Sequence, residues 1–124
     1  MITEDYVSFE TAKLLKEKGF NEYCFALYDS NKRLIQSGIR LNNIQVGRVE
    51  GSYSAPTLQM AMRWLREKYN IHIEPRYFPT PNIYRYVIIH SPVTIENIDS
   101  HPQYFDTYEE ACEAAIKYCL ENLI

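Results

Sequence analysis

Most of the sequence signals that identify an enzyme or a membrane protein are missing from this chain. Apolar runs such as residues 86–89 are far too short to span a bilayer. No serine stands in a G-x-S-x-G context, and no carboxylate pair is catalytic by its spacing alone. The sequence therefore predicts no cofactor, no metal and no enzymatic activity, although an active site assembled from residues distant in sequence stays open.

Cysteine is scarce, and the three copies match no zinc motif. The three are Cys24, Cys112 and Cys119; the last two lie on one face of a predicted helix, and we expect these two thiols to be buried and reduced. An acidic pair follows the first residues, where a signal peptide would need positive charge. We therefore expect a cytoplasmic protein.

An excess of positive charge is also missing. The chain has 16 acidic and 13 basic residues, a net charge of −3 and a pI near 5.6. Because a phosphate backbone favours excess lysine and arginine, nucleic-acid binding is not expected. A local basic patch remains an alternative, formed by Arg63, Arg66, Lys68, Arg76 and Arg85.

Tyrosine is abundant by contrast, with 11 copies in 124 residues. Its large ring and its hydroxyl suit half-buried surfaces and contact sites. The pairing predicted for one hairpin places Tyr77, Tyr84 and Tyr86 on an apolar face, where they pack. Tyr53 and Tyr104 fall in predicted loops, and if tyrosine marks function in this chain, these two are the first to test.

Helix caps and apolar spacing predict three helices. The first begins after Ser8 and ends at Gly19, which can take the left-handed conformation that closes a helix. The second begins near Ser54, where a proline is tolerated in the first turn. The third follows a capping box made by Thr107 and Glu110.

Two predicted hairpins alternate with these helices, with strands at residues 22–28, 33–39, 71–78 and 83–90. In the first strand, Tyr23, Phe25 and Leu27 alternate toward one face. The order α-β-β-α-β-β-α, in one domain over residues 1–124, predicts an α+β fold. We expect a mostly antiparallel four-stranded sheet with the helices packed on one face. A shift of 50 residues aligns the two helix-hairpin segments over a short match, which leaves an internal α-β-β duplication as an alternative. Two long loops are predicted, at residues 40–53 and 91–104.

Two histidines and a glutamate raise the question of a metal or acid-base site. His72 and Glu74 lie on one face of a predicted strand, and His90 lies on the partner strand. If Pro79 faces Asn82 across the turn, the register places His90 on the opposite face from the other two. The sequence therefore favours a solvated outer face over a metal site.

The segment of residues 47–54 leads into the predicted second helix. Free amides and the helix dipole there can hold a phosphate or a carboxylate. Arg48, Gly51 and Ser54 are the candidate residues for a small ligand or a nucleotide. The alternative is a flexible connector in which Ser54 caps the helix.

Four residues are candidates for contact with a protein partner. Met60 and Trp64 are one turn apart on the second predicted helix, which is a pattern of the core and, where partly exposed, of an interaction hot spot. Tyr53 and Tyr104 are the loop tyrosines.

Three segments carry a resemblance to known proteins. They are FETAKLLKEKGF at residues 9–20, PTLQM and WLREKYNIHIE within residues 56–74, and FDTYEEA through CL within residues 105–120. Together they resemble small uncharacterised proteins of gut Bacteroidales and of their phages, prophages and mobile elements. The resemblance implies an accessory protein of a mobile element or its bacterial host, acting in the cytoplasm, and it implies no site residues.

Three functional hypotheses follow. The first is a non-enzymatic module that binds another protein or a second copy of itself. The second is a small-ligand or nucleotide binder that uses residues 47–54. The third is a nucleic-acid accessory protein that uses the basic residues named above.

Overall fold

The computed structural model describes residues 2–96 and 104–124, and in these residues the chain is an α+β protein with four helices and two three-stranded antiparallel sheets. The helices are α1 (Phe9–Glu17), α2 (Asn43–Val46), α3 (Leu58–Tyr69) and α4 (Tyr108–Asn122). The strands are β1 (Cys24–Tyr28), β2 (Leu34–Leu41), β3 (Tyr53–Ser54), β4 (His72–Phe78), β5 (Ile83–His90) and β6 (Val93–Glu96).

The chain divides into two compact units, one of Met1–Thr57 with Leu120–Ile124 and the other of Leu58–Cys119. The first unit holds α1, α2 and the sheet β2-β1-β3. The second holds α3, the sheet β4-β5-β6 and most of α4. The expectation of a single domain stays a prediction.

Local side-chain signals determine the ends of α1. The Ser8 hydroxyl accepts a hydrogen bond from the Thr11 amide at 3.2 Å, as an N-cap residue does. Gly19 takes φ of 93°, the left-handed conformation that ends a helix. Both predicted ends of this helix are confirmed, and its face with Ala12 and Leu15 is fully buried.

Aromatic contacts pack α1 against the first sheet. The Phe9 ring meets the Tyr28 ring edge-on at 5.7 Å and the Tyr53 ring at 5.4 Å, measured between centroids. The Tyr28 hydroxyl also donates to the Val7 carbonyl at 2.6 Å. Because Tyr28 and Tyr53 are paired across β1 and β3, they define the face of this sheet that α1 covers.

The register of the second hairpin is the predicted one. His72 pairs with Ile89 and Glu74 pairs with Val87, so the first histidine and the glutamate share one face. His90 therefore lies on the other face, as predicted from the turn. That other face also carries Tyr84 and Tyr86, and α4 packs there, with its Tyr108 ring 6.3 Å from the Tyr84 ring.

The predicted four-stranded sheet is wrong. Each hairpin gains a third strand of its own, and both extra strands come from segments predicted as loops: residues 40–53 contain α2 and the start of β3, and residues 91–104 contain β6. These strands are short, and their partners lie outside the segments themselves, so local pattern does not reveal them. Residues 97–103 of the second predicted loop lie outside the described residues.

The internal duplication is not matched by the topology either. In the first sheet the third strand pairs with the first strand of the hairpin, β1. In the second sheet the third strand pairs with the second strand of the hairpin, β5. Two copies of one unit would add the strand on the same side.

The start of the second long helix was also predicted wrongly. Helix α3 begins at Leu58, and Ser54 lies in β3 instead of capping a helix. The amide of Ser54 donates to the Asn43 side chain, a long-range bond that draws this residue into the sheet. For α4, the Thr107 hydroxyl accepts from the Glu110 amide at 3.1 Å, which confirms that half of the predicted capping box.

Candidate functional site

Large apolar side chains cover the outer face of the first sheet. Along β1 the small residues Cys24 and Ala26 are buried, whereas Phe25 is 55% exposed and the preceding Tyr23 is 49% exposed. In most half-buried strands the large apolar residues face the core. Here the order is inverted, so the bulky groups face outward.

The neighbouring strand extends this surface. Ile35 pairs with Leu27 and shares its outward face, and it is 43% exposed. We call Tyr23, Phe25, Leu27 and Ile35 the outer patch. The sequence showed the alternation of residues 23, 25 and 27 toward one face, but alternation alone does not tell which face is buried.

Strand β2 borders the outer patch, and along one of its edges the backbone N–H and C=O groups pair with no strand of the described residues. Within the described residues it pairs with β1 only, so one side of this eight-residue strand has no neighbouring strand. Ile39, in the stretch where the β1–β2 register is interrupted by a bulge, is exposed as well. An exposed apolar edge strand is a ready template for pairing with another chain.

A separate cleft of about 450 Å³ opens in the same unit, between the end of α1 and α2. It is lined by Lys16, Gly19, Phe20, Asn21, Asn43, Ile44 and Gly47. Its volume lies within the range of small-molecule sites in proteins. The sequence prediction for a ligand lay nearby along the chain, at residues 47–54, but named other side chains.

Asn43 fixes the walls of this cleft. Its side-chain amide donates to the Phe20 carbonyl at 2.7 Å, and its side-chain oxygen accepts from the Ser54 amide at 2.8 Å. The residue is buried, so these bonds satisfy groups that water cannot reach. Asn43 thereby joins α2 to the end of α1 and to β3.

The three residues predicted to bind a ligand do not gather into one pocket. Arg48 is exposed. Gly51 takes φ of 82° in a turn, close to the Ser30 backbone. Ser54 is fully buried, and its hydroxyl oxygen is a buried atom without a hydrogen-bond partner in the described residues. A ligand in solvent therefore reaches Arg48 but not the Ser54 hydroxyl.

The four residues predicted for protein contact are divided by the structure. Trp64 is buried, with its ring 5.4 Å from the Tyr69 ring, which favours the core interpretation of this residue. Met60 and Tyr104 are exposed. Tyr53 is half-buried against α1, as described above.

The basic residues of the nucleic-acid hypothesis are partly engaged by other groups. Arg63 pairs with Glu67 at 3.3 Å, and Arg76 lies 3.7 Å from Glu74. The Lys68 ammonium lies over the Trp64 ring and the Arg85 guanidinium lies over the Phe78 ring. Arg66 is exposed.

The three cysteines are free and buried, which confirms the prediction made for Cys112 and Cys119. Burial raises the pKa of Cys24 and of Cys119 to about 12 and that of Cys112 to about 11. Because a thiolate is the reactive form, these thiols are poor nucleophiles near neutral pH. Within residues 2–96 and 104–124, no three His, Cys, Asp or Glu side chains come together as a metal site.

Comparison with known proteins adds no relative. The chain matches no protein-family model, no curated protein and no solved structure. None of the helices in the described part of the chain has the length and apolar character needed to cross a bilayer.

Proposed function

We propose that this chain is a non-enzymatic module that binds a protein through the outer patch. The observation that carries the proposal is the inversion of β1, with small residues in the core and Tyr23 and Phe25 on the outside. Contiguous exposed apolar surface on a folded domain is typical of interaction sites, and aromatic residues are enriched in them.

The chemistry of the patch supports a protein partner over a nucleic acid. The Arg40 guanidinium lies 5.8 Å from the Tyr23 ring centroid, so the patch combines tyrosine, phenylalanine, aliphatic groups and an arginine. Tyrosine and arginine are enriched among the hot-spot residues of protein-protein interfaces. The chain as a whole is acidic, which disfavours a phosphate backbone.

A second copy of the chain is the first partner to test, because β2 offers an open strand edge beside the patch. Antiparallel pairing of two such edges is isologous, since the same strand contributes on both sides. In the setting implied by the sequence resemblance, the partner is instead a protein of the mobile element or of the bacterial host. Both partners would use the same outer patch.

Two neighbouring residues of β2 make a matched pair for the test. Ile35 lies on the outer face and Leu34 lies on the face shared with Tyr28, yet both are 43% exposed. Ile35→Ser is expected to weaken association by about tenfold or more, and Leu34→Ser is expected to leave it unchanged. Sedimentation velocity measures self-association, and calorimetry with a purified partner measures hetero-association.

The proposal fails if the purified chain stays monomeric at every concentration and the two variants bind a partner protein equally well. Circular dichroism of both variants confirms that the fold is retained. If Ile35→Ser does not fold, Phe25→Ser takes its place in the same measurements, because Phe25 is also exposed on the outer face.

A further inference from the structure

We infer that the cleft between α1 and α2 binds a small organic carboxylate with an apolar group attached. The site is distinct from the outer patch, and it does not depend on the proposed function. Four features of the cleft restrict the ligand that it can bind: the charge of Lys16, a second hydrogen-bond donor, an apolar wall and rigidity.

The charge of the cleft comes from Lys16. Within the described residues its ammonium has no carboxylate within 4.0 Å and no hydrogen-bond partner, and its one ring contact is with Tyr53 at 5.2 Å from the centroid. Lys16 as a residue is half-buried, and a cation without a counter-ion in a cleft attracts an anion more strongly than one that water surrounds fully, because water screens it less.

A second donor lines the same cleft. The side-chain oxygen of Asn21 accepts a hydrogen bond from the Ile44 amide at 3.0 Å, which orients the Asn21 amide group. Its NH₂ group then has no partner within the described residues and remains a donor toward a ligand. A carboxylate has two oxygens, and Lys16 and Asn21 offer one donor group for each.

The apolar part of the wall is the Ile44 side chain, which stands exposed at the rim. Gly19 and Gly47 leave room, and the two further lining residues, Phe20 and Asn43, are buried. An apolar wall beside one cation suits a monoanion that carries a hydrocarbon or aromatic group. A nucleotide polyphosphate would need several cations, and Lys16 is the sole charged residue among those that line the cleft.

The cleft is also rigid. The two short hydrogen bonds of Asn43 hold α2 in place before any ligand arrives. A Cβ atom on Gly47 would lie 2.7 Å from the Asn43 carbonyl oxygen and 3.0 Å from the Lys16 ammonium. Gly47 therefore keeps open the space in which the ammonium lies, and a rigid site loses little entropy on binding.

Titration of the purified chain with benzoate, phenylacetate and hexanoate tests the inference by ¹H–¹⁵N spectra. We expect binding with Kd of about 1 mM or tighter and shifts at the Gly47 and Ile44 amides and the Asn21 side-chain amide. Benzamide, which has the same ring without the charge, is expected to bind at least about tenfold more weakly. ATP is expected to produce no shifts at these positions.

Lys16→Met and Asn21→Asp are the variants that decide the matter. Lys16→Met removes the charge and is expected to reduce carboxylate affinity about tenfold or more. Asn21→Asp keeps the acceptor for the Ile44 amide and replaces the donor with a negative charge, so it is also expected to weaken binding. Lys13→Met is the control, since Lys13 is an exposed lysine of the same helix outside the cleft.

The inference is overturned if no carboxylate shifts the cleft resonances, or if benzoate binds equally well to the wild type and to Lys16→Met. Equal binding by benzamide would also overturn it, because the site would then select the ring and not the charge. If the wild type binds no carboxylate and Lys16→Met has a lower melting temperature, then Lys16 only stabilises α1 and binds no ligand.

Discussion

The Asn43 side chain joins the backbone of Phe20 to that of Ser54. Its NH₂ group donates to the Phe20 carbonyl at 2.7 Å, and its oxygen accepts from the Ser54 amide at 2.8 Å. The two backbone groups are separated by more than thirty residues of chain, and both are buried. No other side-chain hydrogen bond described above connects two segments in this way. The Asn43 amide group therefore ties α2 to two other segments of the first unit, beside the single bond from the Ile44 amide to the Asn21 side chain.

Replacing Asn43 with alanine is expected to lower the free energy of unfolding by about 2–4 kcal/mol, because a buried carbonyl and a buried amide both lose their partner. Chemical denaturation followed by circular dichroism measures the change. Asn31→Ala is the matched control, since Asn31 is exposed in the β1–β2 turn, and we expect a change below about 0.5 kcal/mol there. Equal effects of the two substitutions would contradict the assigned role.

Gly47→Ala is expected to destabilise the chain by about 1–3 kcal/mol, because the added methyl group meets the Asn43 carbonyl oxygen at 2.7 Å. Gly38→Ala provides the contrast. No atom lies within 4 Å of a Cβ at Gly38, so alanine in this strand is expected to stabilise by roughly 0.5–1 kcal/mol. Thermal unfolding of the two variants distinguishes them, and a stabilising Gly47→Ala would show that the backbone moves aside.

The buried thiols predict an alkaline loss of stability. A thiol has an ordinary pKa of 9.0, and burial raises that of Cys24 and Cys119 to about 12 in the folded chain. The unfolded chain therefore loses these protons first as the pH rises. Stability is present in full below pH 9.0 and falls above it, by up to about 1.4 kcal/mol per pH unit for each thiol.

Urea unfolding at several pH values between about 8 and 10 measures this slope. Cys119→Ala is expected to lower the free energy of unfolding at neutral pH. It is also expected to reduce the slope of that free energy against pH by the contribution of one thiol. Alkylation by iodoacetamide gives a second measurement, since all three cysteines are buried and are expected to react only after unfolding. Rapid labelling of the native chain would contradict the burial of these side chains.

The β1–β2 turn predicts an acid-side effect at one carboxylate. The Arg33 backbone amide donates to Asp29 at 3.0 Å, and this bond is the main reason that the pKa of Asp29 lies below its ordinary value of 3.8. Arg33→Gln keeps that amide and removes only the guanidinium at 3.1 Å. The pKa of Asp29 is therefore expected to rise only in part and to stay below 3.8, as measured by carboxyl NMR titration.

The sign of the Asp29 effect on stability follows from that direction. The folded state holds the ionised carboxylate, so its contribution is present above the unfolded pKa of 3.8 and is lost as the pH falls through the lower folded value. If Arg33→Gln returned the pKa of Asp29 to 3.8, the guanidinium and not the backbone would be the main cause.

The sequence predicted what depends on neighbouring residues. The Ser8 cap, the Gly19 end and the register that pairs Glu74 with Val87 all follow from local chemistry or from one short turn. These features were confirmed because little chain separates the groups that meet.

The features of the fold and of the cleft that the sequence did not predict depend on contacts between distant segments. Strand β3 has only two residues, and its pairing with β1 is fixed by tertiary structure. The cleft brings Asn21 to Ile44, and Lys16 to Gly47, from different elements. Period-two alternation predicted that residues 23, 25 and 27 share a face, but it is symmetric and does not say which face meets the core.

The start of β1 and the residue before it, residues 23–26, combine two kinds of constraint within four consecutive positions. Cys24 and Ala26 hold the packing of the first unit, so changes there are limited by the space available in the core. Tyr23 and Phe25 carry little of that packing, and substitutions at these positions leave the fold largely unaffected. If the outer patch binds a protein as proposed, partner choice can change one outward side chain at a time while the architecture stays the same.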